Sequence, residues 1–441
     1  MSSEKWVQVG SDIDGKEYEA AGRSVAISNN GSIVAIGSPG RTDNNTSSLV
    51  RVFQNVAEGN LGTIPSWSQI GADIEGEAPY DQSGWSVDLS ADGSIVAIGG
   101  IEGDGKGHVR IYQNNGGTWQ QIGDDIEGEA NNDLSGHSVS LSSDGSIIAI
   151  GAIQNDGNGN NSGHVRIYEN NGGTWQQIGA DINGEASNDL SGWSISLSSD
   201  GSIIAIGAQE NDGNGNNSGH VRIYENNGGT WQQIGDDIDG KSMRDRSGYS
   251  VSLSNDGSIV AIGSPTAKGT STSDADDNGQ VRIYENNGGT WQQVGDDIDG
   301  DEPDSQSGFS VSLSSDGSTI AIGGYLNDGN GNNSGHVRIY KNNSGSWQQI
   351  GYDIDGENPN DTSGQVSLSG DGTIVAVGAY QNKGGGDQAG HVRVYKINYG
   401  SASFEISGIT KKGEILAAIL TSSDPDGTGT LSYSWQISSD N

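Results

Sequence analysis

Three sets of residues recur at fixed spacing and have chemistry to offer. The first is a loop reading NDGNGNNSG over residues 155–163, 211–219 and 327–335, with a variant, DADDNG, over residues 274–279. Calcium takes about six to eight oxygens from carboxylates, amides and carbonyls, and glycine permits the sharp turn that gathers them. Asp156, Asp212 and Asp328 are therefore candidate ligands, as are Asp274, Asp276 and Asn278 in the more acidic variant. Each NDGNGNNSG copy holds one carboxylate, so an ordinary Asn/Gly loop is the simpler reading there.

The second set lies between Ser-Gly and Ser in the motif SGxS: Trp85, His137, Trp193, Tyr249 and Phe309, with Arg23 in the corresponding place of the first copy. Aromatic faces attract cations, so equivalent positions brought into a circle would make a docking ring. Packing between repeated units is the competing role. The third set is five histidines, His108, His164, His220, His336 and His391, which open a strand-like HVRIY or HVRVY run. At one per unit they are expected far apart, and no two share a local ligand spacing. No HExxH, GxSxG or phosphate-cradling loop occurs, so no enzymatic activity is expected.

The elements that hold these residues are legible in a repeat of about 56 residues. Trp6, Trp67, Trp119, Trp175, Trp231, Trp291 and Trp347 each precede an isoleucine by seven positions. Each unit continues with SGxSVSLSxDG, SIVAIG, a variable loop and HVRIY, runs of strand length with alternating apolar residues and glycine-rich boundaries. Four strands per unit predict an all-β, seven-bladed β-propeller of four-stranded antiparallel blades, because a ring of such sheets buries both faces and leaves only short edges. The DG pairs before SIVAIG, and Asn30-Gly31 in the first copy, supply the positive-φ residues of tight turns.

If SVSLS is innermost and the Trp run outermost, the last blade lacks an outer strand. Residues 6–13 are the spare one, expected to pair with residues 391–395 and clasp the ring. Aspartates ahead of the Ser-Gly pair (Asp81, Asp133, Asp189, Asp245, Asp304 and Asp361, with Glu19 in the first copy) are expected to cap turns. The arginines of the VRIY runs should face the acidic outer strands. The expected domains are the propeller over residues 1–397, a linker over 398–403, and a partial Ig-like or cadherin-like β segment over 404–441.

Composition narrows the partners. The chain has 441 residues, 73 glycines, no cysteine and a formal net charge of −37. That charge repels phosphate backbones, so nucleic acid is not an expected partner. No stretch is apolar enough to insert as a membrane-spanning helix.

The succession SG-aromatic-SV, DG, IVAIGSP (residues 33–39 and 259–265) and HVRIY resembles the FG-GAP repeat of integrin α-subunit propellers and of large secreted bacterial proteins. The resemblance covers residues 6–395. It implies an extracellular or cell-surface binding and adhesion module, monomeric within a longer chain, recognising a protein or glycan ligand through the aromatic ring. A propeller lectin with repeated glycan sites is the alternative, and a hydrolase or lyase at the channel mouth a more distant one. The family's calcium loop, a DxDGDG between the first two strands, is reduced here to SSDG, which leaves the Asn/Asp loops as the place where calcium would bind.

Overall fold

The computed structural model describes all residues except 1–4, 41–47, 57–65, 79, 103–104, 270–276, 399–402, 409–415 and 423–441, and for 403–408 and 416–422 the backbone only. Its secondary structure among the described residues is entirely β. Seven antiparallel sheets each contain four main strands and a two-residue extension. Blade three shows the plan: Ser135–Leu141 is innermost, followed by Ile147–Ala152, His164–Asn170 and Trp175–Gln177. Ile182–Asn183 returns to the third strand, pairing Ile182 with Val165, so the outer edge is one strand interrupted by a kink.

Alternation along the second strand explains why sheets stack radially. Ile148 and Ile150 face blade two, packing with Val109 and Ile111, while Ala149 faces blade four with Ile204 and Ile206. Successive side chains of a strand point to opposite faces, so a strand buried on both faces reads as nearly continuous Ile, Val and Ala. Each of seven apolar clusters lies between two adjacent blades.

Closure follows the expected route. Lys5–Gln8 pairs antiparallel with the last long strand, His391–Asn398, setting Trp6 opposite Ile397 and Gln8 opposite Tyr395. Ile13 then pairs with Val392. The indole of Trp6 donates to the Ile350 carbonyl at 3.0 Å, and every repeated Trp makes the same bond to the preceding blade, as Trp119 does to Ile70 at 2.9 Å. At one end of the channel a circle of seven backbone bonds closes on itself. Asn29 donates to Ala91, Ala91 to Ser143, and so on through Ser199, Asn255, Ser315 and Gly370 back to Asn29, each at 2.7–2.8 Å.

The DG turns divide their labour differently from expectation. Only the glycine takes positive φ, 68° at Gly145. Asp144 stays in the ordinary region and accepts from the Ser146 N–H at 2.9 Å and the Ser142 hydroxyl at 2.8 Å. Asn30 accepts from Ser32 and Ser28 in the same way.

Beyond the propeller, Ser403–Gly408 and Leu416–Ser422 form a two-stranded antiparallel sheet. The DPDG turn and the run around Trp435 lie outside the described residues.

Candidate functional site at the aromatic mouth

The residue at the entry to each inner strand is carried to the end of the channel opposite the backbone circle. There the six positions singled out by spacing come into contact. The guanidinium of Arg23 lies 4.3 Å over the Trp85 ring. Ring centroids then follow at 5.9 Å from Trp85 to His137, 4.6 Å to Trp193, 5.4 Å to Tyr249 and 5.2 Å to Phe309. These separations are in the range where tilted aromatic pairs attract.

Two members of the circle escape the sequence reading. Blade seven lacks a residue before Val366, so Gly364 stands where an aromatic would be. Tyr325 fills the gap, its ring 4.1 Å from Phe309, and a Cβ on Gly364 would meet the Tyr325 Cα at 3.1 Å. Tyr380 stands on the other side of the gap, 5.9 Å from the Arg23 guanidinium of blade one. Both tyrosines directly follow a second strand, Thr319–Gly324 or Ile374–Ala379, which ends beside the start of the first. The detectable signal was tyrosine after the SIVAIG-type run in blades six and seven alone.

Electrostatics keep this mouth aromatic in character. Burial pushes the His137 pKa down to about 3, reinforced by the nearby Arg23 charge, so the imidazole is neutral at physiological pH. Burial pushes the Tyr249 hydroxyl up to about 12. Arg23 is the one fixed charge among the residues of the circle, and it is supplied in cis.

The NDGNGNNSG loops are held by their own hydrogen bonds. Asp156 accepts from the Asn161 N–H at 2.8 Å, Asp212 from Asn217 at 2.8 Å and Asp328 from Asn333 at 2.7 Å. Asn155 reaches the buried carboxylate of Asp133 at 3.1 Å. Asp274 and Asp276 lie outside the described residues. Asn278 is buried, and its side-chain oxygen has no hydrogen-bond partner.

The remaining repeated groups are architectural. Asp133 accepts from the Ala130 N–H at 2.9 Å, and Glu19 from Lys16 at 2.8 Å. In blade six Ser305 stands at this position, and its hydroxyl donates to the Asn278 carbonyl at 2.8 Å instead of accepting an N–H, while Asp304 is exposed. Arg166 donates to the Glu127 carbonyl of the preceding blade at 2.7 Å and lies 5.6 Å from the Tyr168 ring. His164, His220, His336 and His391 are almost wholly buried at the blade boundaries, each beside carboxylates.

Near the backbone circle, inner-strand serines link the blades. Ser140 Oγ accepts from Leu197 N–H and Ser196 Oγ from Leu253 N–H, both at 3.0 Å. Asp88 takes the serine position in blade two and lines the channel with Asn29 and Asn255. Burial raises its pKa to about 6 against the two backbone bonds it accepts. This single unrepeated acid is invisible to a reading based on what recurs.

Comparison with known proteins agrees on the fold. The FG-GAP repeat family matches residues 183–224, most of one blade. A search of curated proteins finds no match. Among solved structures, a periplasmic gluconolactonase from Pseudomonas aeruginosa is 14% identical, with a TM-score of 0.52 over 76% of this chain and 86% of that one. A putative 6-phosphogluconolactonase from Bacteroides uniformis is 15% identical, with a TM-score of 0.51 over 77% and 86%. The Cps50 (Swd1) propeller domain of Myceliophteria thermophila is 10% identical, with a TM-score of 0.51 over 89% and 99%. At such identities the likeness defines the class of protein, a β-propeller. The sequence match adds that blade four carries an FG-GAP repeat.

Proposed function

We propose that this chain is an extracellular recognition module without catalytic activity that binds a protein or glycan ligand at the aromatic mouth, as the monomeric propeller part of a larger surface or secreted protein. The observation that carries the reading is the continuous circle from Arg23 through Trp85, His137, Trp193, Tyr249 and Phe309 to Tyr325. Five of these seven positions carry a Trp, Tyr or Phe ring, the residue types that supply large, rigid contact area at binding surfaces. No carboxylate or Ser–His pair belongs to the circle, which disfavours hydrolysis at this mouth. The FG-GAP match supports an extracellular setting. Calcium, if bound, would sit in the Asn/Asp loops, and titration calorimetry with Ca²⁺ tests that separately.

A lectin with repeated sites is the second reading. Grooves of about 350 Å³ and 320 Å³ open at the blade edges, one lined by Trp347, Tyr340, Asp297 and Asp299, the other by Trp231, Tyr224 and Asp181. Aromatic faces beside carboxylates suit sugar rings and hydroxyls. A glycan array and surface-protein capture, run with Trp85→Ala/Trp193→Ala and with Trp231→Ala, separate the possibilities. Loss of binding in the first variant with an unchanged melting temperature supports the mouth, whereas loss only in Trp231→Ala assigns the ligand to the blade edges. Binding retained in both variants refutes both readings.

A further inference from the structure

The residue that opens the third strand covaries with the connection arriving from the preceding blade. Where the strand opens with His108, His164, His220, His336 or His391, the connection carries an acid: Glu77, Glu129, Glu185, Asp301 or Glu357 respectively. Where it opens with Leu49 or Gln280, the connection carries Lys16 or Lys241. All seven copies keep an aspartate just before the repeated isoleucine of the outer strand, Asp237 in blade four and Asp297 in blade five.

At four boundaries the three groups converge. Glu129 meets His164 and Asp181, Glu185 meets His220 and Asp237, Asp301 meets His336 and Asp353, and Glu357 meets His391 and Asp12, with the ligand atoms of each set within 4.8 Å of one another. His220 Nδ1 stands 3.6 Å from Asp237 Oδ2 and 3.9 Å from Glu185 Oε2. His391 Nδ1 stands 3.8 Å from Asp12 Oδ2 and 3.9 Å from Glu357 Oε2. These distances are too long for hydrogen bonds. An imidazolium serving as counter-ion would have closed them.

The imidazoles are only 1% exposed, and neither nitrogen of His164, His220 or His336 has a hydrogen-bond partner. Leaving such groups unsatisfied is costly. At the His220 boundary the outward carboxylate oxygens face other partners. Gln233 donates to Asp237 Oδ1 at 2.6 Å, and Arg222 Nη1 lies 3.7 Å from Glu185 Oε1. At the His220 boundary each acid thus presents its other oxygen to the imidazole. Tetrahedral coordination with bonds of about 2.0–2.2 Å sets ligand atoms roughly 3.3–3.6 Å apart, a separation that the imidazole–carboxylate pairs of His220 and His391 reach by closing a few tenths of an ångström.

Blade five shows what occupies the place otherwise. The Lys241 ammonium pairs with Asp297, and Gln280 donates to Asp299 at 2.8 Å. Exchanging an acid for a lysine alters the local charge by two, the charge of a divalent cation. Glu77, His108 and Asp125 are not gathered in this way, and His108 Nε2 lies 3.7 Å from Asp81 instead.

We propose that the boundaries bearing His164, His220, His336 and His391 each bind a divalent transition-metal cation of the Zn²⁺ type through one imidazole and two carboxylates, tying adjacent blades together, and that Lys241 is a built-in substitute for that cation. Imidazole beside carboxylate selects such an ion over Ca²⁺, which prefers an all-oxygen shell. The remaining coordination position is left for water.

The full chain, stripped with a chelator, is titrated with Co²⁺ and followed by visible absorption and melting temperature. The proposal expects ligand-field bands that saturate at four equivalents, one for each convergent set, displacement by Zn²⁺ but not by Ca²⁺, and a rise in melting temperature. Glu185→Lys/His220→Gln, which copies blade five, should bind one equivalent less. If that pair fails to fold, His220→Gln alone is read by the same titration. Absence of the bands, an unchanged stoichiometry in the folded variant, or displacement by Ca²⁺ would overturn it.

Discussion

The Asp88 carboxylate accepts the backbone N–H of Leu141 in the next blade at 2.7 Å, while its second oxygen accepts from Leu89 at 2.8 Å. In other blades a serine of the preceding blade serves the leucine N–H, as Ser252 does for Leu313 at 3.0 Å. Blade one has Ala26 at the serine position, so Leu89 would otherwise lack an acceptor. Two carboxylate oxygens do the work of two serines, at the cost of a half-buried acid.

Asp88 therefore makes stability pH-dependent. Its folded pKa is raised from 3.8 to about 6, so its favourable contribution is complete below about pH 4 and is lost as pH rises through about 6. Ala26→Ser/Asp88→Ser restores the serine ladder. Denaturant unfolding between pH 4 and 8 should show wild type losing up to about 3 kcal/mol relative to this double variant. Asp88→Ser alone should be about 1 kcal/mol less stable than the double variant, because the Leu89 N–H is left unserved.

Removing the first 14 residues strips blade seven of its outer strand and exposes Ile397 and Tyr395, both buried in the last core cluster. A large drop in melting temperature should follow, with partial recovery when a peptide of residues 1–16 is supplied. The milder Trp6→Ala should cost about 2–4 kcal/mol through lost packing and the lost bond to Ile350. An unchanged melting curve in the truncated protein would show that the clasp is dispensable.

Arg51 holds Glu19 with two bonds of 2.7 Å and 2.9 Å across the boundary between blades seven and one, and Asp73 at 3.1 Å. Burial opposes ionisation of Glu19, but the Arg51 bonds outweigh it and hold its pKa below the usual value. The resulting stabilisation is present above the ordinary glutamate pKa and is lost as pH falls through the lowered one. Glu19→Gln should cost about 3 kcal/mol at pH 7 and flatten the acid limb of the stability profile.

The hairpin glycines are constrained by neighbours as well as by φ. A Cβ on Gly145 would stand 2.6 Å from the Ile95 Cδ1 of the adjacent blade. Gly145→Ala should lower stability by about 1–3 kcal/mol, combining left-handed strain with displacement of Ile95. Equal stability by chemical denaturation would mean that the turn relaxes freely.

Most of the aromatic circle was legible. Six of its members follow from one position in a repeated motif, because a repeat places equivalent residues at equivalent radii. Tyr325 and Tyr380 sit at a different motif position, and only the contact of Tyr325 with Gly364 and the approach of Tyr380 to Arg23 show that they stand in the circle where blade seven is one residue short. The histidines were read correctly as one per blade, yet their partners were missed. Glu185 and Asp237 are 35 and 17 residues from His220 in the chain, and one of the two belongs to the preceding connection.

Period-two strands, turn glycines and seven tryptophans determined the ring, its blade count and the strand that closes it, because each of these is local chemistry repeated in order. Only the tertiary structure decided which side chains face each other across a blade boundary. Those contacts join residues that lie on different strands and connections, many positions apart in the chain, and the number of residues in a loop does not disclose where its side chains converge.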